Sequence, residues 1–123
     1  MSHVVEIATQ VKDIVAVRAA CQRRKLAPPV LGPAKLFSGT VEGIAVELPG
    51  WRYPVVFDVD SNQASYDNFG GRWGNQVELD HFLQAYACEA AKLEAHRQGH
   101  TCTEQQLSDG SIKLTIQAGG AYA

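Results

Sequence analysis

Residues 75–99 read NQVELDHFLQAYACEAAKLEAHRQG. Leu79, Phe82, Leu83, Tyr86, Ala90 and Leu93 recur at steps of three and four with one adjacent pair, which draws a single apolar stripe along a helix. Asn75 suits the N-cap, with Glu78 three positions on as a variant of the capping box, and Gly99 suits the position just past the C-cap. The spacing predicts a helix over 76–98. A helix with one apolar face needs a sheet or another helix to cover it, and the rest of the chain says which.

Working back from this helix, Gly70, Gly71 and Gly74 predict a flexible connection, and the segments before it alternate with the period of strands. Ile44, Val46 and Leu48 alternate with Ala45 and Glu47 inside a strand expected over 37–48, and Pro49-Gly50 marks a turn. Tyr53, Val55, Phe57 and Val59 alternate with Pro54, Val56, Asp58 and Asp60; Pro54 cannot donate to a ladder, so it belongs at a strand start or an edge. Residues 60–63 read as a hairpin loop into a strand over 64–69.

A first strand over 3–9 leads to a helix near 12–25, capped by Thr9 or Asp13, with Ile14, Val17 and Cys21 on its apolar side. Arg18, Arg23, Arg24 and Lys25 stay in water, three of them at the carbonyl end of the helix dipole. Ala27-Pro28-Pro29 and Gly32-Pro33 exclude a helix and predict a stiff connecting loop. Past Gly99, a hairpin joins 101–107 to 111–117 through Ser108-Asp109-Gly110, with Ile112, Leu114 and Ile116 pointing inward. The expected order is β-α-β-β-β-α-β-β. The fold class is α+β: a two-layer sandwich of a mainly antiparallel sheet with two amphipathic helices on one face. Residues 1–117 form one domain and 118–123 a frayed tail.

Composition bounds the function. The chain has 123 residues, 46% of them hydrophobic and 20% charged, which suits one folded domain. A formal net charge of −2 gives no global field for nucleic acid, so a nucleic-acid partner is not expected. Cys21, Cys88 and Cys102 are odd in number and widely spaced, which argues against a secreted disulfide framework. The opening residues do not read as a signal peptide, and no apolar run approaches the roughly 20 residues of a membrane span. The expected place is the cytoplasm, with no membrane partner.

Three stretches carry a resemblance when taken together: Met1-Ser2-His3 running into a strand that ends Thr9-Gln10-Val11-Lys12-Asp13; Phe82-Leu83-Gln84-Ala85-Tyr86-Ala87; and Asp109-Gly110-Ser111-Ile112-Lys113-Leu114. In that order and spacing the chain resembles the family called domain of unknown function 1257, found in cyanobacteria and red-algal plastids. The resemblance covers almost the whole length and is weakest from Gly50 to Gly74. It implies no activity. The genes of that family often lie near those for an AAA-type ATPase and a small ferredoxin-like protein, which implies an accessory or adaptor role.

Candidate chemistry is thin. His96, His100 and Cys102 have ligand chemistry, but Gly99 ends the helix between the histidines, and zinc needs three or four converging ligands. His3 could bind copper or nickel only if Met1 were retained. Cys21 and Cys88 lie by apolar stripes and read as small hydrophobes. Asp58 and Asp60 face one side of a strand with Asp67 expected across the hairpin, a trio that a solvated sheet face also explains. No phosphate-binding glycine motif is present. No catalytic residue, metal or cofactor is assigned. The remaining signal is Trp51, Arg52, Tyr53, Phe69, Arg72 and Trp73: aromatics with arginine in glycine-rich loops, the residue types enriched in protein interfaces. They point to a non-enzymatic interaction module that binds a protein partner or itself. The alternative is a ligand-binding protein or enzyme with a cleft between sheet and helices, built on Asp58, Tyr66 or His81.

Overall fold

The computed structural model describes residues 5–37 and 39–118. The elements in chain order are β1 (Val5–Ala8), α1 (Ile14–Arg23), β2 (Val30–Leu36), β3 (Gly39–Val46), β4 (Val55–Asp58), β5 (Gln63–Tyr66), α2 (Gln76–Arg97), β6 (Thr101–Gln106) and β7 (Ile112–Gln117). The α+β class stands, and the order carries one strand more than expected. The proline-rich stretch read as a connecting loop contains β2, at the edge of an antiparallel sheet ordered β1-β5-β4-β3-β2. The pairing of Leu36 with Gly39 closes the β2–β3 hairpin. Pro33 therefore falls at a pair whose backbone groups point away from β3, and its missing N–H costs no ladder bond. Pro54 sits just before β4, as a residue without a donor should.

The second correction concerns the last hairpin. Among the described residues, β6 and β7 pair with each other alone, in a separate two-stranded sheet. The chain divides into two compact units, residues 1–86 and 87–123, and α2 runs through both.

In the first unit, the helices lie against the face of the sheet that carries Phe57. The Phe57 and Phe82 rings stack 5.6 Å apart, both fully buried, and truncating such a ring costs about 3–5 kcal/mol. The Tyr86 hydroxyl accepts from the Lys12 and Asp13 N–H groups at the start of α1. At the other end of α1, the Arg24 guanidinium lies 3.6 Å from the Glu78 carboxylate. These contacts fix α1 antiparallel to the first turns of α2, with Ala16, Val17, Ala20 and Cys21 buried.

The opposite face is covered by the sheet itself. Register pairs Val46 with Val55, so a straight β2–β3 hairpin would carry its tip roughly 30 Å toward the far end of β4. Phe37 at that tip instead meets Tyr53, which precedes β4, with ring centroids 6.4 Å apart. The hairpin folds back across the sheet. It does so at Gly32 and Gly43, which pair directly. A Cβ on Gly43 would lie 2.5 Å from the Phe57 carbonyl oxygen, so only glycine allows this approach. The fold-back explains why Leu36 is fully buried and why Val56 and Ser65, on the face away from the helices, are buried too.

Both helices end in the same way. In α1, Leu26 N–H donates to the Cys21 carbonyl and Lys25 N–H to Gln22; in α2, His100 N–H donates to Ala95 and Gly99 N–H to His96. This is the Schellman arrangement, with the left-handed residue at Lys25 (φ 59°) in one case and at Gly99 (φ 77°) in the other. Asp13 and Asn75 cap the starts, accepting from Val15 and Val77 N–H groups at 2.9 and 3.0 Å. Glu78 points to Arg24.

In the second unit, Lys92 holds α2 to β6 through Glu104 at 3.3 Å, with Glu89 at 3.5 Å. Partial burial works against the ammonium, but the two carboxylates outweigh it and raise its pKa. Ile112 and Leu114 are half-buried, whereas Ile116, expected to point inward, is 48% exposed. The expected frayed tail lies, from 119 onward, outside the described residues.

Candidate functional site

Two loops meet at the carboxyl end of β5. The first, between β3 and β4, carries Trp51, Arg52 and Tyr53; the second, between β5 and α2, carries Phe69, Arg72 and Trp73. Arg52 N–H donates to the Trp73 carbonyl at 2.8 Å, and the Trp51 indole N–H donates to the Asn75 carbonyl at 3.0 Å. The Asn68 carbonyl accepts from Gly71 and Trp73, and its side-chain amide donates to the Gly74 carbonyl. The glycines of the second loop thus serve a turn pinned at several points.

Tertiary contact sorts the six expected residues into two roles. Trp51 is a fastener: its ring packs on Tyr66 at 5.6 Å and so closely on Gly74 that a Cβ there would lie 2.3 Å from it. The other five converge. Trp73 lies 4.7 Å from Phe69 and 5.7 Å from Tyr53, ring to ring. The Arg52 guanidinium sits 4.9 Å over the Trp73 ring and the Arg72 guanidinium 5.3 Å over Phe69. Phe37, which sequence reasoning placed in a strand, joins them 5.2 Å from Trp73 and is 56% exposed. No local signal marks it, because the hairpin fold-back brings it there.

Phe69 has φ 47°, followed by Gly70 at 62° and Gly71 at 99°. Glycine occupies the left-handed region freely, but a bulky aromatic there is a genuine outlier. Such strain persists where surrounding structure holds it, and it concentrates at functional sites. Next to it, Asp67 is buried; one carboxylate oxygen accepts from Phe69 N–H at 3.4 Å and the other has no hydrogen-bond partner among the described residues.

The other candidates do not assemble. Asp58 pairs with Gln63, so Asp67 is not across the hairpin from it, contrary to expectation. Asp58 instead holds the β4–β5 turn. The Ser61 side chain and the Asp60 N–H bond its carboxylate, which lowers its pKa below the ordinary aspartate value. Among the described residues, no group of three or more His, Cys, Asp or Glu is arranged to hold a metal ion. His96 and His100 flank the Schellman turn. Cys21 is buried, and burial pushes its thiol up, the reverse of what a nucleophile needs. Cys88 is buried as well.

A cleft of about 550 Å³ opens between the start of α1 and the sheet, among Lys12, Ile14, Leu31, Glu42, Ile44 and Asp58. Tyr66 and His81, expected to converge with Asp58, are not among its described lining residues. Tyr66 packs on Trp51, and His81 Nδ1 lies 3.3 Å from the Arg24 guanidinium. That contact also turns Arg24 toward α2 and away from the basic end of α1.

Among the described residues, no helix is long and apolar enough to cross a membrane. No family model, curated protein or solved structure matches this chain. The resemblance drawn above therefore rests on its sequence motifs alone.

Proposed function

We propose that this chain is a non-enzymatic accessory module of the cytoplasm whose docking surface is the aromatic–arginine cluster of Phe37, Arg52, Tyr53, Phe69, Arg72 and Trp73. The observation that carries the reading is convergence. Residues from three separate loops meet in one half-exposed patch, and Phe69 is held there in a strained backbone conformation. A core would bury such rings and leave its arginines elsewhere. Here two guanidiniums lie over the rings at the surface, the composition of an interface hot spot. The sequence resemblance directs the first search for a partner toward an AAA-type ATPase, with a second copy of the chain as the other candidate.

The test is cross-linking of the tagged protein in its own host, followed by affinity purification and mass spectrometry, with Trp73→Ala alongside. A stoichiometric partner recovered with the native chain should be lost with Trp73→Ala while the variant keeps a cooperative thermal transition. Equal recovery with both chains would remove the surface from the account.

A further inference from the structure

The charge on this surface says what kind of segment it takes, and the inference rests on the docking reading above. Among the described residues, neither Arg52 nor Arg72 has a carboxylate partner. No Asp or Glu occurs from Leu48 to Pro54 or from Asn68 to Asn75, and Lys35 stands two residues before Phe37. The flanking carboxylates do not offset this charge: Glu47 is exposed and in no ion pair with it, and Asp67 is turned inward and buried. A chain of net charge −2 thus carries a local patch of unpaired cations set among aromatic rings.

The rings hold that charge in place: the Arg52 guanidinium lies 4.9 Å over Trp73 and the Arg72 guanidinium 5.3 Å over Phe69. A guanidinium without a carboxylate partner offers the planar fork that grips a carboxylate with two parallel hydrogen bonds. The two guanidiniums lie over neighbouring rings of one loop, Trp73 and Phe69, and the Arg52–Trp73 backbone bond ties that loop to the one carrying Arg52. Little ordering is left for a ligand to impose. Trp73 is half-buried at the centre of the patch, with Arg52, Phe69, Phe37 and Tyr53 around it. A nucleic-acid strand needs a run of cations along its phosphates, which a chain of net charge −2 with two guanidiniums in the patch does not supply. A carboxylate needs only one guanidinium fork. We infer that the surface binds an extended acidic segment of a partner protein, with two Asp or Glu side chains seated on Arg52 and Arg72 and the intervening chain lying across Phe37 and Trp73.

The probe is a fluorescein-labelled peptide of alternating Glu and Gly, titrated with the full chain by anisotropy. The comparison ligands are the same peptide with Gln for Glu and a labelled oligo-dT strand. Saturable binding of the acidic peptide is expected, weakened at least about tenfold by Glu-to-Gln exchange in the peptide and by Arg52→Gln with Arg72→Gln in the protein. It should also weaken as salt is raised. Both arginines are exposed, so the double variant should keep its thermal transition. Arg52→Lys with Arg72→Lys keeps the charge without the planar fork and should fall between the two. No saturable binding, equal binding of the Gln peptide, indifference to the arginine variants, or tighter binding of oligo-dT would each overturn the inference. A host partner lost with Trp73→Ala but retained with the double glutamine variant would keep the docking surface and remove the acidic segment. A partner retained by both variants would remove the two together.

Discussion

At the scale of single residues, the two Schellman turns form a natural comparison. Gly99 sits in the left-handed conformation without a steric penalty, whereas Lys25 holds the same conformation at φ 59° with a Cβ that opposes it. Lys25 is exposed and in no ion pair among the described residues. Lys25→Gly should therefore stabilise the first unit, by about 0.5–1 kcal/mol after the added freedom of glycine in the unfolded chain is set against the relieved strain. Chemical denaturation with a higher midpoint and an unchanged slope would bear this out. Phe69 presents the opposite case: its strained backbone places its ring against both Trp73 and the Arg72 guanidinium, the contacts on which the proposed docking surface is built.

At the scale of elements, the fold-back of the β2–β3 hairpin matters most. It covers the second face of the sheet with Leu36 and delivers Phe37 to the aromatic cluster. Gly43→Ala would press a methyl group against the Phe57 carbonyl and should cost about 1–3 kcal/mol, while Gly39→Ala, with open space around it, serves as a neutral control. Equal melting temperatures for the two variants would remove the hinge from the account. The same hairpin carries Pro33 on its outer side, so the β2 edge lacks one of the donors that an added strand would seek. A strand added along that edge would forgo a ladder bond at Pro33.

At the scale of the whole molecule, the two compact units each carry a hairpin turn closed by an aspartate. Asp58 closes the β4–β5 turn. Asp109 closes β6–β7, accepting from the Ser111 hydroxyl at 2.6 Å and its N–H at 2.9 Å. Hydrogen bonds to the charged form lower both pKa values, the Ser61 and Ser111 side chains being the first cause in each. A carboxylate whose folded pKa is depressed contributes stability above its unfolded pKa, and that contribution is lost as pH falls through the folded value. Acid should release both turns, with the Asp60 and Ser111 amide resonances titrating at midpoints below that of an ordinary aspartate. A midpoint at or above the ordinary value for either would show that its cap does not hold in solution.

Local chemistry by itself determined both helices, the Asn75 cap and the glycine that ends α2, the turn at Asp109 and five residues of the candidate surface, and narrowed the α1 cap to Thr9 or Asp13. Each of these depends on neighbours a few positions apart, and periodicity and capping report on that range directly. Only the tertiary structure made a strand of the segment around Pro33. Whether a proline breaks a ladder depends on which way its missing donor points, and pairing decides that. It was also tertiary structure that separated Trp51, which fastens loops, from Trp73, which centres the patch, and that brought in Phe37. Those distinctions depend on a bent hairpin returning across the sheet, a contact between residues far apart in the chain that no local pattern encodes.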